Sequence, residues 1–372
     1  MRVLAFGTYD VRSHPRMGVL IEGLRASGDD VAEVNIPLGL DTANRIAMLR
    51  QPWRLPAGAF RLARCWLLLA VRGRRAYRRQ APDAVLVGYL GHFDVQLARL
   101  LFRRATIVLD HLIFAADTAV DRRLSSTVTM RLLNRLDRRA LRSADLILLD
   151  SAEHAELVPA ELADRALVVP VGAPAAWFDA GSAAGPRTDP HVLRVAFFGL
   201  FTPLQGTPTI GRALGLLADA PQVRALVIGA GQDRAETRRL ARANPAVEWL
   251  DWVEPAELPA VIAAHDVCLG IFGVGPKALR VVPNKVYQGA AAGCAVVTSD
   301  TRPQREALGD AAVFIRPGDA HALAAALRGL AEDAPALAKL RAAARDRARE
   351  WFAAAVVVTA LRERLGARTA RR

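Results

Sequence analysis

Short apolar runs alternate with helical patterns along nearly the whole chain, and this alternation constrains the fold more than any other feature. The first series of runs lies at 3–6, 31–36, 84–88, 105–109, 146–150 and 167–171. A short apolar run between two helical patterns is typical of a buried strand in a βαβ unit. The pattern therefore predicts a parallel sheet covered by helices.

The alternation then stops and starts again. Residues 180–190 are small, polar, Gly or Pro, which indicates a linker. The second series lies at 193–198, 223–228, 247–250, 267–271, 295–298 and 312–315. We therefore predict an α/β fold of two doubly wound, Rossmann-like domains, 1–180 and 192–350, which are joined by a linker at 181–191 and face each other across a cleft.

The C-terminal helical pattern at 322–365 contains Pro335, so it predicts at least two helices. We expect the last one, about 351–372, to pack back on the first domain through Trp351 and Phe352.

Composition excludes several classes of protein. Of 372 residues, 52% are apolar, which argues against a disordered chain, and three cysteines are too few for a disulfide scaffold. Apolar runs stay well below the roughly 20 residues that span a bilayer, and the first residues do not resemble a signal peptide. We expect a cytoplasmic protein.

The net charge of +13 is concentrated in one segment, because residues 42–82 contain ten arginines and no acidic residue. Trp, Leu and Phe residues are interleaved with these arginines, as in a basic amphipathic helix on an anionic membrane surface. We thus predict peripheral binding at the inner face of the cell membrane. The alternative is a solvated helix whose apolar side packs on its own domain. Specific nucleic-acid binding is disfavoured, since the segment has no recognised reader motif.

Several catalytic motifs are absent: the phosphate-loop pattern, H-E-x-x-H and G-x-S-x-G. The cysteines and the seven histidines show no metal-ligand spacing, so we expect no bound metal.

An anion site is predicted within 272–300, where a glycine-rich loop and a proline open a helix. Free backbone N–H groups at the helix start, together with Lys277, Arg280 and Lys285, can hold a diphosphate. Two of the three lysines of the chain lie here, although arginine serves nearly everywhere else.

In order along the chain, these segments resemble glycosyltransferase family 4, the retaining nucleotide-sugar glycosyltransferases with the GT-B fold. The resemblance covers nearly the whole chain. It is carried by VLAFGTYD, DRRALRSADLILLDSAEH, VVPVGA, VAFFGLFTPLQG, ALVIGAGQD, VEWLDWV, AAHDVCLGIFG, VVPNKVYQGAAAGCAVVTSD and RPGD.

The resemblance implies that the second domain binds the nucleotide and the first binds the acceptor. It places Trp252 and Val253 near the base. It places the start of the helix at 283–288, which includes Gln288, near the ribose and the diphosphate. Two usual features are missing. Leu200 and Gln205 stand where the family has an arginine and a lysine, and Arg280 and Gln288 where it has two glutamates. We expect Lys277, Arg280 and Lys285 to replace the missing cations.

Loops that follow strands of the first domain supply the remaining candidates. Gly7 and Arg12, with Arg16 as an alternative, are expected to meet the diphosphate, and His92, His111 and Asp117 are the candidate catalytic residues.

We therefore expect a glycosyltransferase that transfers a sugar with retention from a nucleotide diphosphate sugar, as co-substrate, to a small-molecule or lipid-linked acceptor, without metal or cofactor. The first alternative is a catalytically silent GT-B protein that binds nucleotide or docks on a membrane or partner. A sugar epimerase ranks last, because no carboxylate acid/base pair is evident.

Overall fold

The protein is described by a computed structural model that covers residues 1–11, 14–39, 55–88, 91–121, 126–185, 189 and 191–369. The chain divides into two compact units. The first unit consists of Met1–Val120, Leu124–Val169 and Val358–Arg372, and the second consists of Asp121–Arg123 and Pro170–Val357.

The first unit contains a parallel sheet with strand order β2-β1-β3-β4-β5-β6. The strands are β1 (Arg2–Gly7), β2 (Asp30–Asn35), β3 (Ala84–Val87), β4 (Thr106–Asp110), β5 (Leu146–Leu149) and β6 (Ala166–Val168). The helices are α1 (Arg16–Ala26), α2 (Leu55–Arg79), α3 (Asp94–Leu101), α4 (Ala115–Asp121), α5 (Thr127–Ser143) and α6 (Ala152–Ala155), and a 3₁₀ helix spans Ala160–Arg165. Strands β3, β4 and β5 are buried along their whole length, as expected for a sheet covered on both faces.

The second unit contains a parallel sheet with strand order β12-β11-β10-β7-β8-β9. Its strands are β7 (Leu193–Phe198), β8 (Val223–Ile228), β9 (Val247–Leu250), β10 (Val267–Leu269), β11 (Ala295–Ser299) and β12 (Ala312–Ile315). Its helices are α7 (Ala175–Ala183), α8 (Thr207–Gly215), α9 (Arg234–Ala241), α10 (Leu258–Ala263), α11 (Asn284–Ala291), α12 (Arg302–Leu308), α13 (Ala320–Glu332), α14 (Ala334–Trp351) and α15 (Ala354–Val357). Counted from β7, this order is 3-2-1-4-5-6, the Rossmann order. The predicted fold class, two doubly wound parallel α/β domains, is thus confirmed.

Each unit has its own apolar core. In the first, Phe6, Phe102 and Leu69 pack against the β-branched and leucine side chains of β3 to β5. In the second, Phe197, Phe201 and Phe272 pack beside Ile210 and Leu323. Among the described helices, none has the length and apolar character needed to cross a bilayer.

The segment between the two sheets is more ordered than its composition indicates. Residues 181–183, which we assigned to the linker, form the last turn of α7. A Cβ atom on Gly181 would lie 2.6 Å from the Ala291 carbonyl oxygen, so this glycine allows α7 to pack closely on α11.

The C-terminal residues pass from the second unit back to the first. Phe352 remains in the second unit, where its ring meets Tyr287 edge-on at 4.7 Å. The return begins at Val358, and the last helix, α16 (Thr359–Thr369), belongs to the first unit. There Arg362 donates a 2.7 Å hydrogen bond to Asp29.

Candidate functional site

The order of strands in the second sheet reverses between β7 and β10, which are neighbours. In open α/β sheets, ligands bind outside the carboxyl ends of the strands at such a reversal. The loop after β7 runs from Gly199 to Gly206, and α11 begins at Asn284, after the loop that follows β10. The candidate site of this unit is therefore where these two loops meet.

Lys285, in the first turn of α11, is the main cationic group of this site. The residue is only 5% exposed. Its Nζ atom donates a hydrogen bond of 2.5 Å to Oε1 of Gln205 and lies 3.8 Å from the centre of the Phe197 ring. No carboxylate forms an ion pair with this ammonium within the described residues.

Burial disfavours a charged ammonium, so it lowers the pKa of Lys285 from 10.5 to about 7. The lysine is therefore close to the balance between its neutral and charged forms near neutral pH. An anion bound next to Nζ would favour the charged form. This electrostatic arrangement is suited to a phosphate ligand.

Two glycines leave the space that the Lys285 ammonium and the neighbouring loops occupy. Gly199 has φ +136°, and a Cβ atom there would lie 3.0 Å from Nζ of Lys285. Gly206 has φ +64°, and a Cβ atom on it would lie 2.3 Å from the backbone of Phe272. The loops after β7 and β10 can approach each other this closely because neither residue has a side chain.

The backbone at the start of α11 is a second source of positive potential. Pro283 is the N-cap residue, and no side chain caps the first N–H groups of this helix. Unsatisfied N–H groups at a helix start favour an anion. Lys285 and these N–H groups lie on the same turn, so both can serve one ligand.

The other residues that are predicted to bind the nucleotide sugar differ from one another in burial. Gln288, one turn after Lys285, is buried, and no described residue hydrogen-bonds to its side-chain amide. Lys277 and Arg280 are half-buried in the turns before Pro283. Their predicted contact with a diphosphate stays a prediction.

Trp252 follows β9 and leaves 68% of its surface exposed, while its Nε1 atom donates a 3.1 Å hydrogen bond to Glu254. The neighbouring Asp251 forms an ion pair with Arg234 of α9. Val253 is half-buried. An exposed indole beside a fixed loop can stack on a nucleobase, and this predicted role remains a prediction.

In the first unit, the loop after β1 is held by Asp94 at the start of α3. The backbone N–H and hydroxyl of Thr8 each donate a 2.7 Å hydrogen bond to Asp94 Oδ2, and Trp66 donates one of 2.9 Å to Oδ1. Burial raises the pKa of Asp94, although these donors oppose the rise. Gly7 precedes this anchor, with φ +144°. Arg12 lies outside the described residues, and its predicted contact with the diphosphate stays a prediction.

His92 and His111 lie together, but their common neighbour is Asp137 of α5. His92 Nε2 and Asp137 Oδ1 are 2.8 Å apart, and the two imidazole rings are 4.9 Å apart. Burial lowers the pKa of His111 to about 3. Burial alone would raise the pKa of Asp137, but the hydrogen bond and charge of His92 lower it overall.

Asp117, the third predicted catalytic residue, is half-buried in the first turn of α4. The catalytic assignment of His92, His111 and Asp117 stays a prediction. Sequence reasoning missed Asp137, because nothing in its local pattern separates it from the other polar residues of a helix. It also missed the buried ion pair at 2.7 Å between Arg16 and Asp110.

Two Rossmann-like units, each built on a six-stranded parallel sheet, give this chain the GT-B fold of the glycosyltransferases. Within the second unit, residues 193–333 match the family described as glycosyl transferases group 1. No curated protein sequence matches the chain.

Solved structures extend the likeness to the whole chain. Sucrose-phosphate synthase from Thermosynechococcus elongatus is 14% identical, with a TM-score of 0.70 and complete coverage of both chains. Anabaena HepE in complex with UDP-glucose is 15% identical, with a TM-score of 0.64 over 99% of this chain and 100% of HepE. A glycosyltransferase from Rickettsia africae is 12% identical, with a TM-score of 0.65 and 98% coverage of each chain. At these identities the likeness establishes a shared fold.

Proposed function

We propose that the chain is a glycosyltransferase that transfers a sugar from a nucleotide diphosphate sugar to an acceptor hydroxyl. The observation that carries this proposal is the Lys285 ammonium, which is buried at the strand-order reversal with an amide and an aromatic ring as its partners. A buried ammonium without a carboxylate partner is costly unless a ligand supplies the opposite charge. The match of residues 193–333 to glycosyl transferases group 1 supports the same activity.

The chemistry follows from where negative charge develops. When the bond between sugar and phosphate breaks, the leaving nucleotide diphosphate gains negative charge. Lys285 and the uncapped N–H groups of α11 would stabilise it without moving, which is the main electrostatic requirement of such a reaction. Because a lysine and backbone dipoles supply the positive charge, we propose that the diphosphate needs no metal.

We further propose that transfer retains the configuration of the sugar. The incoming hydroxyl would attack on the face that the diphosphate leaves, and a phosphate oxygen would accept its proton. This route requires no side-chain nucleophile. The residues that take part are then those that hold the diphosphate. Gln288 would donate hydrogen bonds to the ribose hydroxyls and accept hydrogen bonds from them.

The donor is proposed to be a nucleotide sugar because of the exposed Trp252 and the buried Gln288 near the same edge of the sheet. The structure of HepE with UDP-glucose, which shares the fold, supports this class of donor. The acceptor is proposed to be a small or lipid-linked hydroxyl compound.

A thermal-shift screen against UDP, GDP, ADP, dTDP and their common sugars tests the donor proposal, because a ligand that binds only the folded state raises the melting temperature. The donor that binds is then assayed for sugar transfer to a panel of acceptors. Nucleotide binding without transfer would favour the catalytically silent protein. Absence of binding, even after Leu200→Arg and Gln205→Lys supply the two cations, would contradict the enzyme proposal.

We also infer that α2 binds an anionic membrane surface. Phe60, Leu67 and Val71 lie on one face of this helix at spacings of seven and four residues, and the first two are 74% and 66% exposed. Cys65 and Leu69 lie on the opposite face and are buried. The helix thus packs on its unit and still presents an apolar face outward.

Arginines surround that outward face. The seven arginines of α2 are Arg61, Arg64, Arg72, Arg74, Arg75, Arg78 and Arg79. All are exposed, and in the described part of the chain none forms an ion pair. Residues 42–54 of the predicted segment lie outside the described residues. Exposed apolar side chains beside unpaired arginines are the features that bind a helix to anionic lipid. Sedimentation with anionic and with neutral vesicles tests this inference, and equal binding to both would contradict it.

A further inference from the structure

Three side chains that can bind a metal converge at the carboxyl end of the first sheet. His92 follows β3, His111 directly follows β4, and Asp137 lies on α5. His92 Nε2 is 2.8 Å and His111 Nε2 is 4.0 Å from the same oxygen, Oδ1 of Asp137. One potential ligand atom from each residue lies within 4.8 Å of the other two.

One of these atoms lacks a partner. His111 is 2% exposed, and its Nε2 atom is buried with no hydrogen-bond partner in the described structure. The distance of 4.0 Å to Asp137 is too long for a hydrogen bond. A buried polar atom without a partner destabilises the folded protein. Because this nitrogen lies 4.0 Å from the shared carboxylate oxygen, an ion bound between them would supply the missing partner.

The carboxylate is held in place by the backbone. The N–H of Ala115 donates a 2.9 Å hydrogen bond to Asp137 Oδ1, and the N–H of Ala116 donates one of 3.2 Å to Oδ2. The ring of Phe114 meets the ring of His111 edge-on, with centres 4.6 Å apart, and limits its movement. Hydrogen-bonded carboxylates and fixed imidazole rings are the usual surroundings of metal ligands.

We propose that His92, His111 and Asp137 bind one divalent transition-metal ion, with Zn²⁺ as the ion that best fits two imidazole nitrogens and one carboxylate oxygen. Two nitrogen ligands disfavour Mg²⁺ and Ca²⁺, which prefer oxygen. A water molecule would complete a four-coordinate site. The ion would connect the residues that follow β3 and β4 to helix α5.

This proposal is independent of the proposed sugar transfer, because all three ligands belong to the first unit and no role at the diphosphate is given to them. It replaces the expectation that the chain binds no metal. It also gives His92 and His111 a metal-binding role in place of the predicted contact with substrate.

The test uses the untagged protein of 372 residues, stripped with a chelator and dialysed. Titration with Zn²⁺ by calorimetry is expected to give one equivalent per chain and a higher melting temperature. Co²⁺ in place of Zn²⁺ is expected to give the intense visible absorption of a four-coordinate ion with nitrogen ligands. His111→Ala and Asp137→Asn are expected to lose both signals, whereas His191→Ala, which changes an exposed histidine, keeps them.

The proposal is overturned if the wild-type protein takes up no stoichiometric Zn²⁺, or if His111→Ala binds the ion as tightly as the wild type does. If His111→Ala or Asp137→Asn fails to fold, the Co²⁺ spectrum of the wild-type protein decides alone. A six-coordinate, weakly absorbing spectrum then counts against the site.

Discussion

The Lys285 ammonium donates its hydrogen bond to the side-chain carbonyl of Gln205, which stands where the family that the sequence resembles has a lysine. We propose that the cation on α11 takes the place of the cation that the resemblance implies on the loop after β7. The amide orients the ammonium without neutralising it. The positive charge of Lys285 therefore remains available to a phosphate.

Replacing Lys285 by Met removes the charge and keeps most of the volume of the side chain. We expect binding of the preferred nucleoside diphosphate to weaken about 10- to 100-fold, because a hydrogen bond to a charged group contributes about 1.5–3 kcal/mol. Calorimetric titration with that nucleotide measures the change. The matched control is Lys339→Met, which alters an exposed lysine on α14.

The same variant is expected to be more stable than the wild-type protein when no ligand is bound, since it no longer buries an ammonium. Urea unfolding at pH 6 measures this gain. Weaker binding together with lower stability would indicate that Lys285 serves the fold, and would contradict its role in ligand binding.

The pKa of about 7 for Lys285 predicts opposite pH dependences for stability and for ligand binding. The unfolded protein carries this proton up to about pH 10.5, so between pH 7 and 10.5 the unfolded state binds more protons. The free energy of unfolding therefore rises with pH in that window, by at most about 1.4 kcal/mol per pH unit from this group.

Diphosphate binding should instead weaken above pH 7, by at most about tenfold per pH unit, because the ligand requires the ammonium. The second ionisation of phosphate, near a pKa of about 6, is nearly complete in this range and does not reverse the trend. Titrations in two buffers with different ionisation enthalpies count the protons taken up on binding. Lys285→Met should take up none, and proton uptake equal to that of the wild type would contradict the assignment.

The outward face of α2 is expected to bind membranes through both its apolar side chains and its arginines. Phe60→Ser with Leu67→Ser should weaken binding to anionic vesicles at least about tenfold, because two large apolar groups no longer leave water. Arg74→Gln, Arg75→Gln and Arg78→Gln together should remove most of the preference for anionic lipid, since each arginine near the surface contributes about 1 kcal/mol.

Vesicle sedimentation at low and high salt measures both effects. Leu157→Ser, which changes an exposed leucine of the same unit outside α2, is the control and should bind as the wild type does. If the Phe60 and Leu67 double variant binds vesicles as tightly as the wild type does, the apolar face takes no part in membrane binding.

Gly206 and Gly329 should respond in opposite directions to the same substitution. Gly206→Ala places a Cβ atom 2.3 Å from the backbone of Phe272 at a positive φ, so we expect a loss of about 2–4 kcal/mol in unfolding free energy. Gly329→Ala, on helix α13 with open space around it, should gain about 0.5–1 kcal/mol. Urea unfolding of both variants checks the pair, and equal effects would contradict the close approach of the two loops.

The strands were predictable because their apolar side chains are consecutive in the sequence. Buried strands such as Leu146–Leu149 are defined by neighbouring residues, and their order follows from the βαβ pattern. The linker was less predictable. Gly181 has the composition of a flexible segment, but here the missing side chain allows close helix packing.

The sites were predictable only in part. Lys285 could be singled out because lysine is rare in this chain and because a proline precedes its helix. Its partner Gln205 is 80 positions away, so only the folded sheet brings the two together. The same holds for His92, His111 and Asp137, whose separations of 19 and 26 positions match no metal-binding motif along the sequence.

The path of the chain through the two units bears on how the protein is made. Helix α16 belongs to the first unit but follows the second unit in the sequence. The ribosome therefore synthesises the whole second unit before it synthesises the last helix of the first. Until then the carboxylate of Asp29, which is buried in the folded protein, lacks the hydrogen bond from Arg362. The half of the protein that is translated first is thus the half whose folding is completed last.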